Sequence, residues 1–256
     1  FGGVSDLVDL ASMGDLVFGG WDIFPDTALE SAQNAAVLDK EMLRALAAPT
    51  ECAAVVKADA YGLGMVQIAA TLWNEGCRTF FVATLDEGER LRALLPEAAI
   101  YVLAGLMPGT DALYRAQNLR PVLNSADEVR EWAAFCKSAG ERLPCAVHID
   151  TGMIRLGLSV DEVEQIVTAD ALWSELALSL VMSHLACADE PDHPKNEAQR
   201  NLFERLRARL PQAPSGRFRS GARRTAIQPT HRHRARASHR RARATPPGPR
   251  ALPASR

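Results

Sequence analysis

Six short apolar runs rich in β-branched residues recur between residues 52 and 185, each followed by a longer stretch of helical character. This alternation constrains the fold more than any other feature of the chain. The runs are Cys52–Ala58, Thr79–Thr84, Ala99–Ala104, Arg120–Asn124, Cys145–Asp150 and Ser179–Leu185. Their near-continuous hydrophobicity suits strands covered on both faces, as parallel strands in α/β proteins are. Starts about 20 to 35 residues apart leave room for a crossover helix in each repeat. In the segment Ser125–Ala139, for instance, a serine opens the helix and Asp127 and Glu128 occupy its first turn, where they complement the helix dipole. Six βα units predict an incomplete (β/α)8 barrel of the TIM type, because eight strands close such a barrel. An open doubly wound sheet competes, but no Gly-x-Gly-x-x-Gly follows any run.

Charge divides the chain. All 31 Asp and Glu precede Pro211, against 17 Lys and Arg in the same stretch, whereas the last 46 residues hold 12 Arg, 7 of the 15 prolines and no Lys, Asp or Glu. Three segments follow from this: 1–42 of uncertain origin, 43–210 carrying the repeats, and a disordered tail at 211–256. The tail reads as translation of a GC-rich gene out of frame, which yields Arg, Ala, Pro, Gly and His without Lys. An arginine-rich arm for nucleic acid is the functional alternative. Near the other end, Val17–Asp39 resembles a piece of the inositol-phosphate synthase family, and a helix is expected over Asp26–Ala47.

With 47% apolar residues the chain can bury a sizeable core, yet nothing approaches the 18 or so consecutive apolar residues of a membrane span. The start at Phe1 carries no basic signal peptide, so we expect a soluble cytoplasmic protein whose true start lies upstream. Cys52, Cys77, Cys136, Cys145 and Cys187 are odd in number and contain no Cys-x-x-Cys, which predicts reduced, mostly buried thiols and no zinc site. A metal site from His184, Asp189, Asp192 and His193 matches no familiar ligand spacing, and no metal is expected.

The chemistry concentrates at run ends. Lys57 closes the first run, where barrel enzymes place catalytic groups, and apolar walls there would depress an amine's pKa and favour attack on an aldehyde. A lysine snorkelling to solvent is the ordinary alternative. The string AVVKADAYGLG, Ala54 to Gly64, resembles the pyridoxal-phosphate attachment motif of alanine racemases. That resemblance implies that Lys57 carries the cofactor and is the base on one face of the substrate, with Tyr61 bonding the cofactor phosphate. A glycine-bearing turn that lets backbone approach a phosphate agrees with it. HIDTGMIRLG, His148 to Gly157, is similar to a second segment of the same family. By that likeness Arg155 bonds the cofactor's phenolic oxygen and lies near the substrate carboxylate, a role suited to a planar, permanently charged guanidinium. His148 stands where many members have a lysine, sometimes carbamylated, that orients this arginine. We place it behind Arg155, with a satisfied interior histidine as the alternative. His184, within Met182–Ala186, corresponds to a histidine whose ring packs on the cofactor's pyridine ring.

The resemblance covers about residues 43–210. It implies pyridoxal 5'-phosphate as cofactor, alanine as substrate, L-to-D interconversion serving bacterial wall synthesis, and a homodimer, with no membrane or nucleic-acid partner. Members of the family go on to a second arginine facing the pyridine nitrogen. They also have a C-terminal β-domain whose tyrosine, from the partner subunit, is the opposite-face base. Neither is found in this sequence, so the 256-residue chain is expected to racemise alanine poorly and to expose unpaired strand edges. The alternatives are another racemase or cofactor carrier of the same fold, and nucleic-acid binding through the tail.

Overall fold

The computed structural model describes residues 52–188, 190 and 192–211, together with the backbone of Val8–Asp9 and Ile227–Gln228. The expected helix at Asp26–Ala47, the segment 17–39 and most of the tail lie outside the described residues.

All six expected strands are present and parallel, in chain order: β2 (Cys52–Val55), β3 (Thr79–Val82), β4 (Ala99–Val102), β5 (Arg120–Leu123), β6 (Pro144–His148) and β7 (Ala177–His184). Two-residue strands extend the sheet on either side. β1 (Val8–Asp9) pairs with β2, and β8 (Ile227–Gln228) pairs with β7. The arginine-rich tail, expected to be disordered, therefore contributes one short strand. β1 and β8 lie against each other, which brings the two ends of the sheet together.

Each strand stops earlier than its apolar run, and at β3 and β5 the next N–H groups turn to side chains. The Ala83 N–H donates to Glu87 and the Asn124 N–H to Glu128, at 2.7 and 2.9 Å, so side chains receive these amides at the strand ends. The intervening helices begin where capping residues stand. Thr84 and Glu87 form a capping box on α3 (Leu85–Leu94), Ser125 caps α5 (Ala126–Ala139), and Ser159 and Glu162 box α6 (Val160–Val167). α5 ends at Gly140, whose φ of 65° supplies the left-handed C-terminal residue. The remaining helices are α1 (Lys57–Tyr61), α2 (Met65–Asn74), α4 (Asp111–Ala116), α7 (Asp170–Ser174) and α8 (Pro194–Arg207).

The period of two along each strand sorts side chains into two cores. Ala54, Phe80, Val82, Ile100, Val102, Leu123 and Val147 face the helices, where Trp132, Leu91 and Phe203 complete an outer layer. Ala53, Val55, Phe81, Tyr101, Val122, Ala146, Leu180 and Met182 fill the inside of the sheet. Below them, Arg120 donates to the Tyr101 hydroxyl at 3.0 Å, and that hydroxyl lies 3.0 Å from Ser179 Oγ. As expected, the described cysteines are mostly buried: Cys77, Cys136 and Cys145 fully and Cys187 in part. Among the described residues no helix is long and apolar enough to cross a membrane.

Candidate active site

One step beyond the inner layer, the same alternation places Lys57, Asn124, His148 and His184 at the C-terminal ends of β2, β5, β6 and β7. This is the end at which barrel enzymes assemble their chemistry, because the loops there converge from several strands. Three residues singled out in the sequence thus meet at one mouth. The fourth, Asn124, carried no signal beyond its place two residues after the inward-facing Val122.

Lys57 opens an unusual turn. Ala58, Asp59, Ala60 and Tyr61 all have positive φ, between 51° and 58°, so α1 is a left-handed turn built without glycine. For L-residues this conformation costs about 1–2 kcal/mol each, on the order of 4–8 kcal/mol in all. Gly62 and Gly64, with φ of 86° and 89°, follow it, and these glycines were the only positions at which sequence suggested such geometry. The turn is held from several sides. The Ala60 N–H donates to Val56 O at 3.0 Å, and the Gly64 N–H donates to Asp59 O at 2.9 Å. The Met65 N–H donates to Asp59 Oδ1 at 3.0 Å, and the Ala58 N–H donates to Glu87 Oε1 at 2.7 Å. The turn brings Tyr61 back over the inner core, and the Lys57 ammonium stands 5.9 Å from its ring centroid.

Arg155 lies on the loop after β6, and Asp150 shapes that loop. Its Oδ1 accepts the N–H groups of Gly152, Met153 and Ile154 at 2.8, 2.9 and 3.1 Å. Ile154, β-branched and 85% exposed, is thereby held at φ 57°, a conformation that such a residue rarely adopts unless its surroundings impose it. The next residue, Arg155, reaches across so that Nη2 lies 3.4 Å from His184 Nε2. A guanidinium has only donors, so His184 faces it with a lone pair.

His148 is buried at the end of β6, and its partner fixes its proton. Asn124 gives its side-chain N–H groups to Leu103 O and Val122 O, at 3.1 and 2.9 Å, which leaves its oxygen 2.9 Å from His148 Nδ1. Nδ1 must therefore carry the hydrogen and Nε2 the lone pair. Burial pushes the imidazole pKa down to about 4; Asp150 opposes the shift and Arg155 adds to it. Nε2 has no hydrogen-bond partner among the described residues. His148 thus sits behind the site as a neutral ring with an unsatisfied acceptor.

Gln199 of α8 was not legible in the sequence, and it joins two walls of the site. Its Nε2 donates to Thr151 Oγ1 at 3.1 Å and to His184 O at 2.9 Å, while its Oε1 accepts the Ala186 N–H at 2.9 Å. The nearby His193 is not directed at this site. Its Nδ1 accepts the Lys195 N–H at 3.1 Å, capping α8. Asp189 lies outside the described residues, among which no cluster of three or more metal-type ligands occurs.

An amine, a phenol, a guanidinium and an imidazole around one mouth form a donor set for a flat, anionic aldehyde. The sequence matches the family described as alanine racemase, N-terminal domain, over residues 32–233. The chain belongs to this family. A second match, to myo-inositol-1-phosphate synthase, covers residues 2–61 and takes in the Val17–Asp39 string. Among relatives, an alanine racemase of Methylobacterium sp. (strain 4-46) is 54% identical over 165 residues, which is 64% of this chain and 45% of that protein. The crystal structure of alanine racemase from Bartonella henselae, with covalently bound pyridoxal phosphate, superposes with a TM-score of 0.68 at 33% identity. That match covers 75% of this chain and 56% of that one. A histidine racemase from Leuconostoc mesenteroides subsp. sake NBRC 102480 gives 0.64 at 25% identity, over 77% and 56%. The chain spans about half the length of the relatives it matches.

Proposed function

We propose that this chain supplies the pyridoxal-phosphate half of an alanine racemase active site, interconverting L- and D-alanine. The observation that carries the reading is the placement of Lys57, Tyr61, Arg155 and His184 around one barrel mouth, with Lys57 at the end of an inner strand. When bound, the cofactor supplies an electron sink that acidifies the substrate's Cα–H. Lys57 Nζ would hold the cofactor covalently and move the Cα proton on one face. The Tyr61 hydroxyl would donate to the phosphate, Arg155 to the ring oxygen and the substrate carboxylate, and the His184 ring would pack against the cofactor ring.

Inversion needs a second acid–base group on the opposite face. The described tyrosines other than Tyr61 are committed elsewhere. The Tyr114 hydroxyl donates to Gly105 O at 2.6 Å and burial raises its pKa, while that of Tyr101 is engaged by Arg120 and Ser179. The 256 residues hold three tyrosines, these two and Tyr61, so on this reading they supply one face only and racemise alanine poorly by themselves; in the family's homodimer the second base is the partner subunit's. The same reading assigns 43–210 to the racemase barrel, 1–42 and 211–256 to flanking sequence, and the protein to the cytoplasm, where its free thiols stay reduced.

Incubation with pyridoxal phosphate, borohydride reduction and peptide mapping test the proposal. The label is expected on Lys57 and is lost in Lys57→Ala. A label on Lys137 or Lys195 instead, or on no lysine, overturns it. In an active preparation Lys57→Ala lowers racemisation by about 10²–10⁴-fold or more.

A further inference from the structure

Lys57 sits at a junction between two βα units. Its backbone leaves β2 through Val56, whose N–H donates to Phe81 O of β3 at 2.9 Å. The next residue, Ala58, enters the left-handed turn at φ 51°, and its N–H donates to Glu87 Oε1 at 2.7 Å. The other oxygen of that carboxylate accepts the Ala83 N–H at 2.7 Å and the Thr84 N–H at 3.4 Å. One side chain on α3 thus holds the turn that follows the lysine and the end of the neighbouring strand. Arg90, one helical turn on, stands 3.7 Å from Asp59 in the same turn. Capping α3 requires only the bonds between Glu87 and Thr84; the reach to Ala58 lies outside that duty.

We propose that Glu87 is a positioning residue for Lys57: by gripping the Ala58 N–H it ties the left-handed turn to β3 and so sets where the lysine amine stands at the mouth. The inference rests on the reading of Lys57 as the cofactor lysine. A carboxylate is suited to the task because two oxygens serve amides on two elements at once. An amide in its place offers one oxygen and must release one of them.

Two controls separate this role from ordinary stabilisation. Thr84→Ala weakens the same cap and leaves the Glu87–Ala58 bond. Glu162→Gln disturbs a comparable clamp, Glu162 Oε1 to the Ala126 N–H at 3.1 Å, on a loop that does not carry the lysine.

The test uses two measurements on the full chain and on Glu87→Gln, Thr84→Ala and Glu162→Gln. The first is competitive acetylation of Lys57 across pH without cofactor, which reads the amine's environment directly. The second is the rate of borohydride-trapped attachment of pyridoxal phosphate to Lys57. We expect Glu87→Gln to shift the pH midpoint of Lys57 acetylation and to slow attachment about tenfold, with both controls within about twofold of the unmodified chain. Equal behaviour of Glu87→Gln and the controls in both measurements overturns the proposal. A shifted acetylation midpoint in a protein that never attaches the cofactor supports the positioning role and refutes the cofactor reading instead. Should Glu87→Gln fail to fold, amide exchange of the unmodified chain decides: the Ala58 N–H, on an exposed residue, is expected to exchange slowly, and fast exchange overturns the proposal.

Discussion

Burial keeps His148 neutral, and this has a consequence for stability that can be given a sign. Its pKa falls from 6.5 to about 4 on folding. As the pH drops below 6.5 the unfolded chain takes the proton first, so folding stability is lost between about pH 6.5 and 4 and is unaffected by this group above that window. From pH 7 to pH 5 the loss from this residue amounts to ~2 kcal/mol. His148→Gln keeps a donor for Asn124 without titrating, so urea unfolding at the two pH values should show a loss smaller by that amount. Equal losses in the two proteins would mean that His148 is not held neutral. At this scale the sequence disclosed the residues that display themselves in motif strings, namely Lys57, Tyr61, Arg155 and His184. Asn124, Asp150 and Glu87 act on groups from other loops or on their own loop's backbone, and no local pattern marks that. The left-handed turn was hidden for a related reason: Ala, Asp, Ala and Tyr do not announce positive φ as glycine does.

The same device recurs at the level of elements. Glu87, Glu128 and Glu162 each occupy the third position of a helix that follows a strand, and each reaches back to an N–H of the preceding βα unit: Ala58 at 2.7 Å, Leu106 at 3.2 Å and Ala126 at 3.1 Å. Ser/Thr-x-x-Glu spacing is readable as a helix start, and the helix from Ser125 was recognised from its capping serine and acidic first turn. The second reach, which stitches adjacent loops around the mouth, depends on a barrel that brings the loops together. Strands were legible because burial on both faces makes each a continuous apolar run. Their ends were less so: beyond β3 and β5 a glutamate of the next helix takes the following amide, which no apolar pattern marks. Helix α8 joins the loops by another route, through Gln199, which is 2% exposed and serves Thr151, His184 and Ala186 together. Gln199→Leu fills the volume but removes three hydrogen bonds, at a cost of about 3 kcal/mol when each contributes about 1 kcal/mol. A drop in the urea midpoint with unchanged slope would measure it. A change below about 0.5 kcal/mol would show that water replaces the glutamine without loss.

Across the whole molecule, the strands that carry Lys57 and His184 flank the seam of the sheet. β6 and β7 pair at five register positions, from Pro144↔Ala177 to His148↔Met182. Beyond β7, β8 pairs only through Ser183↔Ile227 and His184↔Gln228, and beyond β2, β1 pairs only through Val8↔Cys52 and Asp9↔Ala53. Strands only two residues long, as β1 and β8 are, open more readily than the longer strands between them, so local opening should begin there. A ligand bonded to Lys57 and packed on His184 bridges the seam, and binding to the closed form alone stabilises the strands whose opening would release it. Amide exchange with and without pyridoxal phosphate is therefore expected to slow most at Ala53–Val56 and Val181–His184, and least where β3 and β4 pair at four positions, from Thr79↔Ala99 to Val82↔Val102. Uniform slowing would mean that the sheet opens only as a unit. Slowing confined to β2 would mean that the ligand attaches to Lys57 without engaging His184, and the assignment of that histidine to the cofactor ring would have to be withdrawn.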